Sequence, residues 1–383
     1  MDLNLTEEQK LIQEKAREFA SKELEPIASK LDELGKPPIE QFRKLGELGF
    51  LGLMVPEEYG GSKADTVSYV LVIEELSRVC ASTGIMVAIQ NSLVCQPIAL
   101  FGTEEQKRRY LPDLASGKAI GAFALTEPEA GSDAASIRTR AVRDGDYYVI
   151  SGLKHFITNG SIADVVIVFA TVDPSLRHKG ITAFIVEKGT PGFKPGREEN
   201  KMGIRATNTS ELIFEECRVP ASNRLGQEGE GFKIALMMLD SGRIGVAAQA
   251  VGIARRAYEE ALKYAKSRQQ FGQPIAQFQA IQWMLVDMAT RIEAARLLTI
   301  KAALKKDSGE RYTKEAAMAK LFASEMAVWV TDRAIQIHGG YGYMKEYVVE
   351  RLYRDAKITE IYEGTNEIQR LVIANQILQE SLP

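Results

Sequence analysis

Apolar residues across residues 6–117 recur at three- and four-residue spacing, the period of helices with one buried face. Thr6 followed by Gln9 has the form of a capping box and opens the first of them. Leu11, Ile12, Phe19 and Leu24 carry its stripe, with Lys15 as a polar interruption. IEQFRKLGELGF and VSYVLVIEELSRV continue the pattern, and PEEYGG between them reads as a turn. The texture changes after Lys118. Residues 120–229 hold short β-rich runs: AIGAFALTE, DYYVISGLKHFIT, ADVVIVFATV, GITAFIVEKG and TSELIFEECRVP. RDGD and GTPGFKPG separate them as turn clusters, which predicts a small antiparallel β domain, either barrel or sandwich. No run leads through GxGxxG into a helix, so a Rossmann unit is not expected. From Gly231 the helical period returns over 231–268, 275–306 and 313–337, with Leu321, Met326, Val330 and Ile335 sharing one stripe. Long helices with short loops predict an antiparallel bundle, with Trp283 and Trp329 in its core. The expected class is α+β. Its parts are an all-helical domain over 1–119, a β domain over 120–229 and a helical bundle over 230–383.

Composition narrows the classes of function. The 383 residues are 45% hydrophobic, enough to bury a large core without disulfides. The net charge of -3 offers no basic field for nucleic acid or anionic membrane, so a phosphate-bearing ligand needs local groups. Cys80, Cys95 and Cys217 are scattered, and with His155, His178 and His338 they form no metal-ligand spacing. They read as three buried thiols in a reducing compartment, with no metal expected. The N-terminal residues lack signal- and transit-peptide features, and the apolar run 165–170 is too short to span a bilayer. The expectation is a cytoplasmic protein without membrane insertion; a processed organellar form would read the same.

Six stretches can carry chemistry. In KITEIYEGTNEIQR, Glu363 stands before Gly364-Thr365, the entry to an amphipathic helix over 366–378. It reads either as an acid complementing the helix dipole or as a base aimed at a substrate. FALTEPEAGSD leaves a strand through Pro128, Gly131 and Ser132: either a plain turn or a backbone cradle for an anion, with Thr126 and Ser132 as hydroxyl donors. KHFITNG places Phe156 and Thr158 on one strand face ahead of a hairpin-type Asn159-Gly160 turn. Those two side chains suit a flat heterocycle or an ordinary cross-strand pair. In MLDSGRIGVAAQAVG, Asp240 and Arg243 are helix neighbours, as an ion pair or as part of a channel. RQQFGQPIAQFQ offers Arg268, Phe271 and Gln279 for a phosphate and a stacked base. The glycines of QIHGGYGY end a helix and can admit a phosphate.

In this order and at these distances, FALTEPEAGSD, KHFITNG, LDSGRIG, SRQQFGQPI, QIHGGYGY and IYEGTNEIQR resemble the acyl-CoA dehydrogenase family over essentially the whole chain. The chain is most similar to the short-chain (butyryl-CoA) branch, where a Gly precedes the Arg of the fourth motif. The resemblance implies that family's fold: a helical domain, a β domain and an antiparallel four-helix bundle. It implies a homotetramer, a dimer of dimers, with FAD between the β domain and the bundle and partly held by a neighbouring subunit. Phe123, Leu125, Thr126, Gly131, Ser132, Phe156, Ile157 and Thr158 would meet the flavin and pyrophosphate. Arg268, Phe271, Gln279, Gln336, Gly339 and Gly340 would hold the adenosine side across the interface, and Thr365 and Glu367 would border FAD. Ser132, Asp240, Arg243, Tyr362 and Gly364 would face the acyl-CoA. Glu363 would take the α-proton while flavin N5 accepts the β-hydride, giving the trans-2-enoyl thioester. Electrons would pass to an electron-transferring flavoprotein. In some branches the base precedes the Arg of the fourth motif; here that position is Gly242. Phe156 stands where the family most often has Trp. Branched, cyclic, dicarboxylic or longer acyl groups, an acyl-CoA oxidase, and a silent acyl-CoA- or flavin-binding protein are the other readings.

Overall fold

Thr6 caps the first helix as its pairing with Gln9 predicts: the Thr6 hydroxyl accepts from the Gln9 amide at 3.2 Å, and Gln9 returns the bond. The structure, a computed structural model, is described over residues 4–379. Residues 1–3 and 380–383 of the expected terminal domains lie outside that range. The first region contains α1 (Glu7–Phe19), α2 (Ala28–Leu34), α3 (Ile39–Glu47), α4 (Thr66–Val79), α5 (Ala81–Ile89), α6 (Gln96–Phe101) and α7 (Glu104–Ala115). Helix α4 is buried along nearly its whole length. It still carries two adjacent acids with no solvent exposure, Glu74 and Glu75. Arg17 from α1 pairs with Glu75 at 2.9 Å. Arg255 and Arg296, from the C-terminal helices, pair with these two acids as well. Buried charge of one sign thus needs cations from three other helices, which fixes how the first region docks.

The strands are β1 (Gly121–Ala124), β2 (Arg140–Asp144), β3 (Tyr147–Thr158), β4 (Val165–Thr171), β5 (Ile181–Glu187), β6 (Phe193–Glu198), β7 (Thr209–Pro220) and β8 (Arg224–Leu225). They form one sheet in the order β6-β7-β3-β2-β4-β5-β8, with β1 beside β4. The expected antiparallel character holds except where β1 runs parallel to β4 and β2 meets it at one bridge. A long connection through β2 and β3 permits that parallel pairing. Three expectations are corrected. GTPGFKPG is not all turn, because β6 starts inside it; β6 is an edge strand, where Pro195 removes no needed donor. Asn159-Gly160 is not a hairpin, since β3 pairs with β2 and β7 and not with β4. Trp283 is not in the core but 63% exposed.

Helices α8 (Gly231–Ser267), α9 (Gln279–Asp307), α10 (Thr313–His338), α11 (Val348–Lys357) and α12 (Asn366–Ile377) make the C-terminal region. On α9 the buried positions include Leu285, Met288, Ile292, Ala295 and Thr299, so Trp283 and Val286 fall on the other face. Trp329 is partly buried, with the Arg291 guanidinium 4.4 Å from its ring centre. The small residues of α8 serve close packing. A Cβ at Gly245 would strike the Tyr69 hydroxyl, and one at Gly252 would strike the α4 backbone. The segments 81–101 and 231–267 are long and apolar enough to cross a membrane, but each is mostly buried in this core. All three cysteines are free and buried, as expected.

Candidate functional site

The short turn between α11 and α12 is built to hold one carboxylate. Thr365 has extended backbone and its hydroxyl accepts from the Ile368 amide, so α12 starts where the sequence places its entry. Just before it, Glu363 has φ 53° and Gly364 φ 92°. A non-glycine residue in the left-handed region is uncommon and marks backbone held by its surroundings. The Glu363 side chain aims at Gly242 on α8, where any Cβ would collide with Oε2. That oxygen is shielded from solvent and has no hydrogen-bond partner. Burial pushes the carboxyl up to about 7, and the Arg243 and Lys320 cations hold it from rising further. The Glu363 amide has no acceptor among the described residues. Tyr362 beside it donates to the Gln249 side-chain oxygen.

Asp240 and Arg243 pair on α8 at 2.6 Å, as their spacing predicts. Thr313 donates to the other Asp240 oxygen at 2.6 Å. Burial raises the Asp240 carboxyl and Arg243 opposes the rise. Both residues line a cavity of about 720 Å³ that also presents His178, Lys179, Lys233 and Arg311. Arg243 is 5% exposed, and its Nε reaches the Glu363 carbonyl at 3.5 Å, which sets the Glu363 turn beside this cavity. Ser132 does not line it.

On the sheet, β3 carries a bulge against β7 between Lys154 and Ile157, and Phe156 within it has φ 57°. The extra residue breaks simple alternation. Lys154 and Ile157 both point inward, while Phe156 is 60% exposed with Thr158 toward the same side. The Phe156 ring lies stacked on His155, with centres 3.9 Å apart. Buried Lys154 donates to the Leu125 carbonyl at 2.9 Å and to Glu127 at 2.8 Å. His155 donates its amide to the Thr126 carbonyl at 2.9 Å. The FALTEPEAGSD segment is thereby fixed beside Phe156, with Gly131 and Ser132 open and Phe123 packed on Phe169. Two side chains depart from expectation: those of Leu125 and Ile157 are buried in the core, so only their backbones can face a ligand.

A separate groove takes in Arg268, Gly339, Gly340 and Tyr341, with the Arg268 guanidinium over the Tyr341 ring. Gln279 and Gln336 are exposed, and Phe271 is 93% exposed at φ 52°. No hydrogen bond or ring contact among the described residues joins this group to Phe156 and Thr158. Thr365 and exposed Glu367 lie at the start of α12. His155, Glu199 and Glu211 come close enough to hold a cation, but Arg197 already bonds Glu199 at 3.0 Å. Sequence reasoning missed Lys320, Gln369 and Lys154, whose only signal is a polar residue at a core position of a helix or strand.

Three family models match: acyl-CoA dehydrogenase N-terminal domain over residues 6–118, middle domain over 122–217 and C-terminal domain over 229–378. The short-chain-specific acyl-CoA dehydrogenase of Clostridium acetobutylicum is 52% identical over 99% of this chain and 100% of its own. The structure of butyryl-CoA dehydrogenase from Megasphaera elsdenii superposes with a TM-score of 0.97 at 50% identity, covering 99% of this chain and 100% of that one. A chain in a structure of the electron transferring flavoprotein of Acidaminococcus fermentans matches with a TM-score of 0.98 at 53% identity, over 99% and 100%.

Proposed function

The chain belongs to the acyl-CoA dehydrogenase family, and on that premise we propose that it oxidises a short-chain acyl-CoA to the trans-2-enoyl-CoA, with FAD as cofactor and Glu363 as base. One observation carries the assignment of the base: a shielded, unpartnered Glu363 oxygen aimed across an opening kept by Gly242. A thioester α-hydrogen is weakly acidic, so its removal needs an aimed base with a pKa near the working pH. A desolvated carboxyl raised to about 7 has that property. Negative charge gathers on the thioester oxygen as the proton leaves, and donors fixed there beforehand stabilise it. The unengaged Glu363 amide is the donor this chain offers, and Gly364 adds no side chain in the way.

The residues fit FAD in two respects. Phe156 offers an open ring, backed by His155, for a flat heterocycle. Gly131, Gly339 and Gly340 have open space where a Cβ would stand, so a phosphate can approach the backbone. FAD, when bound, supplies the two-electron acceptor for the β-hydrogen. Phe123, Thr126, Ser132, Phe156 and Thr158, with the Leu125 and Ile157 backbones, take the flavin and pyrophosphate side. Arg268, Phe271, Gln279, Gln336, Gly339 and Gly340 take the adenosine side of a neighbour's FAD, and Thr365 and Glu367 border it. That division needs at least two subunits, and the resemblance to the family extends the proposal to a homotetramer, a dimer of dimers. The cations of the 720 Å³ cavity suit the phosphates of CoA, with Asp240 and Arg243 along the way to Glu363. Buried Tyr69 and the Tyr362–Gln249 pair lie near the base, and the likeness to short-chain-specific relatives supports a short acyl chain. An electron-transferring flavoprotein is the proposed acceptor; the Acidaminococcus likeness supports it.

Turnover of butyryl-CoA with a dye acceptor tests the assignment. Glu363→Gln should lose at least a hundredfold in kcat, the lower end for a general base. Unchanged turnover in that variant would sink it. Peroxide formed in air would mark an oxidase instead.

A further inference from the structure

The turn that carries Glu363 is held from the bundle side by a lysine. Lys320 on α10 has no solvent exposure. Its ammonium donates to the Gly364 carbonyl at 2.9 Å and to the Asn366 side-chain oxygen at 3.0 Å, which Ser324 also reaches at 3.0 Å. Gln369 adds bonds to the carbonyls of Gly364, at 2.8 Å, and Glu363, at 3.2 Å. In a trans peptide the N–H points opposite to the C=O. Drawing these two carbonyls toward α10 and α12 therefore turns the Gly364 and Thr365 amides the other way. The paired positive φ values at 363 and 364 are the backbone shape that results.

Positioning alone does not require a charge. Gln369 shows that a neutral amide binds the same carbonyls, and burying an ammonium is strongly unfavourable unless its charge is used. Both bonded partners of Lys320 are neutral oxygens. Arg243 acts on Glu363 more strongly, but its charge is shared with Asp240 at 2.6 Å. We propose that Lys320 is a positioning residue for the reaction: it clamps the Glu363 turn through the Gly364 carbonyl and, while protonated, places a buried positive charge beside that turn, which favours the Glu363 carboxylate. The inference rests on Glu363 acting as the base. The charged groups that act on Glu363 are Arg243 from α8 and Lys320 from α10, and Glu363 in turn acts on the phenols of Tyr69 from α4 and the adjacent Tyr362. Burial raises both phenols far above neutral, so they stay uncharged. Glu360 and Glu367 face Lys320 from the turn and from α12, and burial brings the lysine down to about 7.

The test is the pH dependence of kcat/KM for butyryl-CoA in FAD-loaded Lys320→Met, Lys320→Arg and Gln369→Leu enzymes. Protonated Glu363 is inactive, so activity falls on the acid side of its pKa. In Lys320→Met that limb should move up by about one pH unit or more, as expected when a nearby cation is removed. Lys320→Arg keeps the cation and should leave the limb close to its place in the parent enzyme. Gln369→Leu should lower kcat and leave the limb in place. If Lys320→Met does not fold, Lys320→Gln answers the same question, since it keeps a donor to Gly364 without the charge. A limb that stays put in the neutral variants, or moves equally in Gln369→Leu, overturns the role of the lysine. Glu363→Gln is assayed separately, so that result would leave the base standing.

Discussion

At the residue scale, the proposed base is the single carboxylate of Glu363, and its surroundings set two pH effects of opposite sense. Glu363 must be ionised to accept a proton, so kcat/KM should fall as pH drops below about 7, which a pH-rate profile reads directly. Stability runs the other way. The folded-state pKa lies above the roughly 4.3 of an unfolded glutamate, so the folded protein binds the extra proton between these values. The stability this contributes is complete below about pH 4 and is lost as pH rises through about 7. Glu363→Gln removes a buried carboxylate, and should be more stable than the parent at pH 8 by roughly 1–3 kcal/mol, with the gain shrinking by pH 5. Thermal midpoints at the two pH values check it. Gly242→Ala should cost activity sharply, because its methyl would meet Oε2. The carboxylate was legible in sequence through its motif. Its left-handed backbone, its unpartnered oxygen and its lysine neighbour were not, since they depend on where α8 and α10 pass.

At the element scale, caps carry over from sequence to structure and periods mostly do, although Leu11 of the first stripe is 51% exposed; bulges and edges do not. Thr6 and Thr365 both cap helices as their positions predict. Replacing either by Ala should cost about 1 kcal/mol. The two differ in consequence. Thr365→Ala should also lower kcat, because that cap anchors the turn of Glu363, while Thr6→Ala should leave kcat unchanged; unfolding and turnover of the two variants separate these effects. The β3 bulge illustrates what stays hidden. KHFITNG reads as a regular strand, yet one extra residue sends Lys154 inward and Phe156 outward. Edge position, likewise set by tertiary pairing, lets β6 run through a Pro/Gly-rich segment.

At the scale of the whole molecule, the order helices, strands, helices was readable because the period of apolar residues changes near 120 and again near 230. The outer face of the C-terminal region was not, since an apolar residue left exposed reads in sequence like a buried one. Trp283, Phe271 and Tyr343 are 63%, 93% and 82% exposed on the single chain. Native mass spectrometry should find four 42.3 kDa chains together; a stable holo-monomer would contradict the sharing of FAD between subunits. The most direct test of the proposed function is the visible spectrum of FAD-loaded protein, recorded anaerobically before and after butyryl-CoA is added. Bleaching of the flavin band, with a long-wavelength charge-transfer band appearing, is the expected result, and the bleaching should be lost in Glu363→Gln. A flavin band that butyryl-CoA leaves unchanged in the parent enzyme would overturn the short-chain assignment.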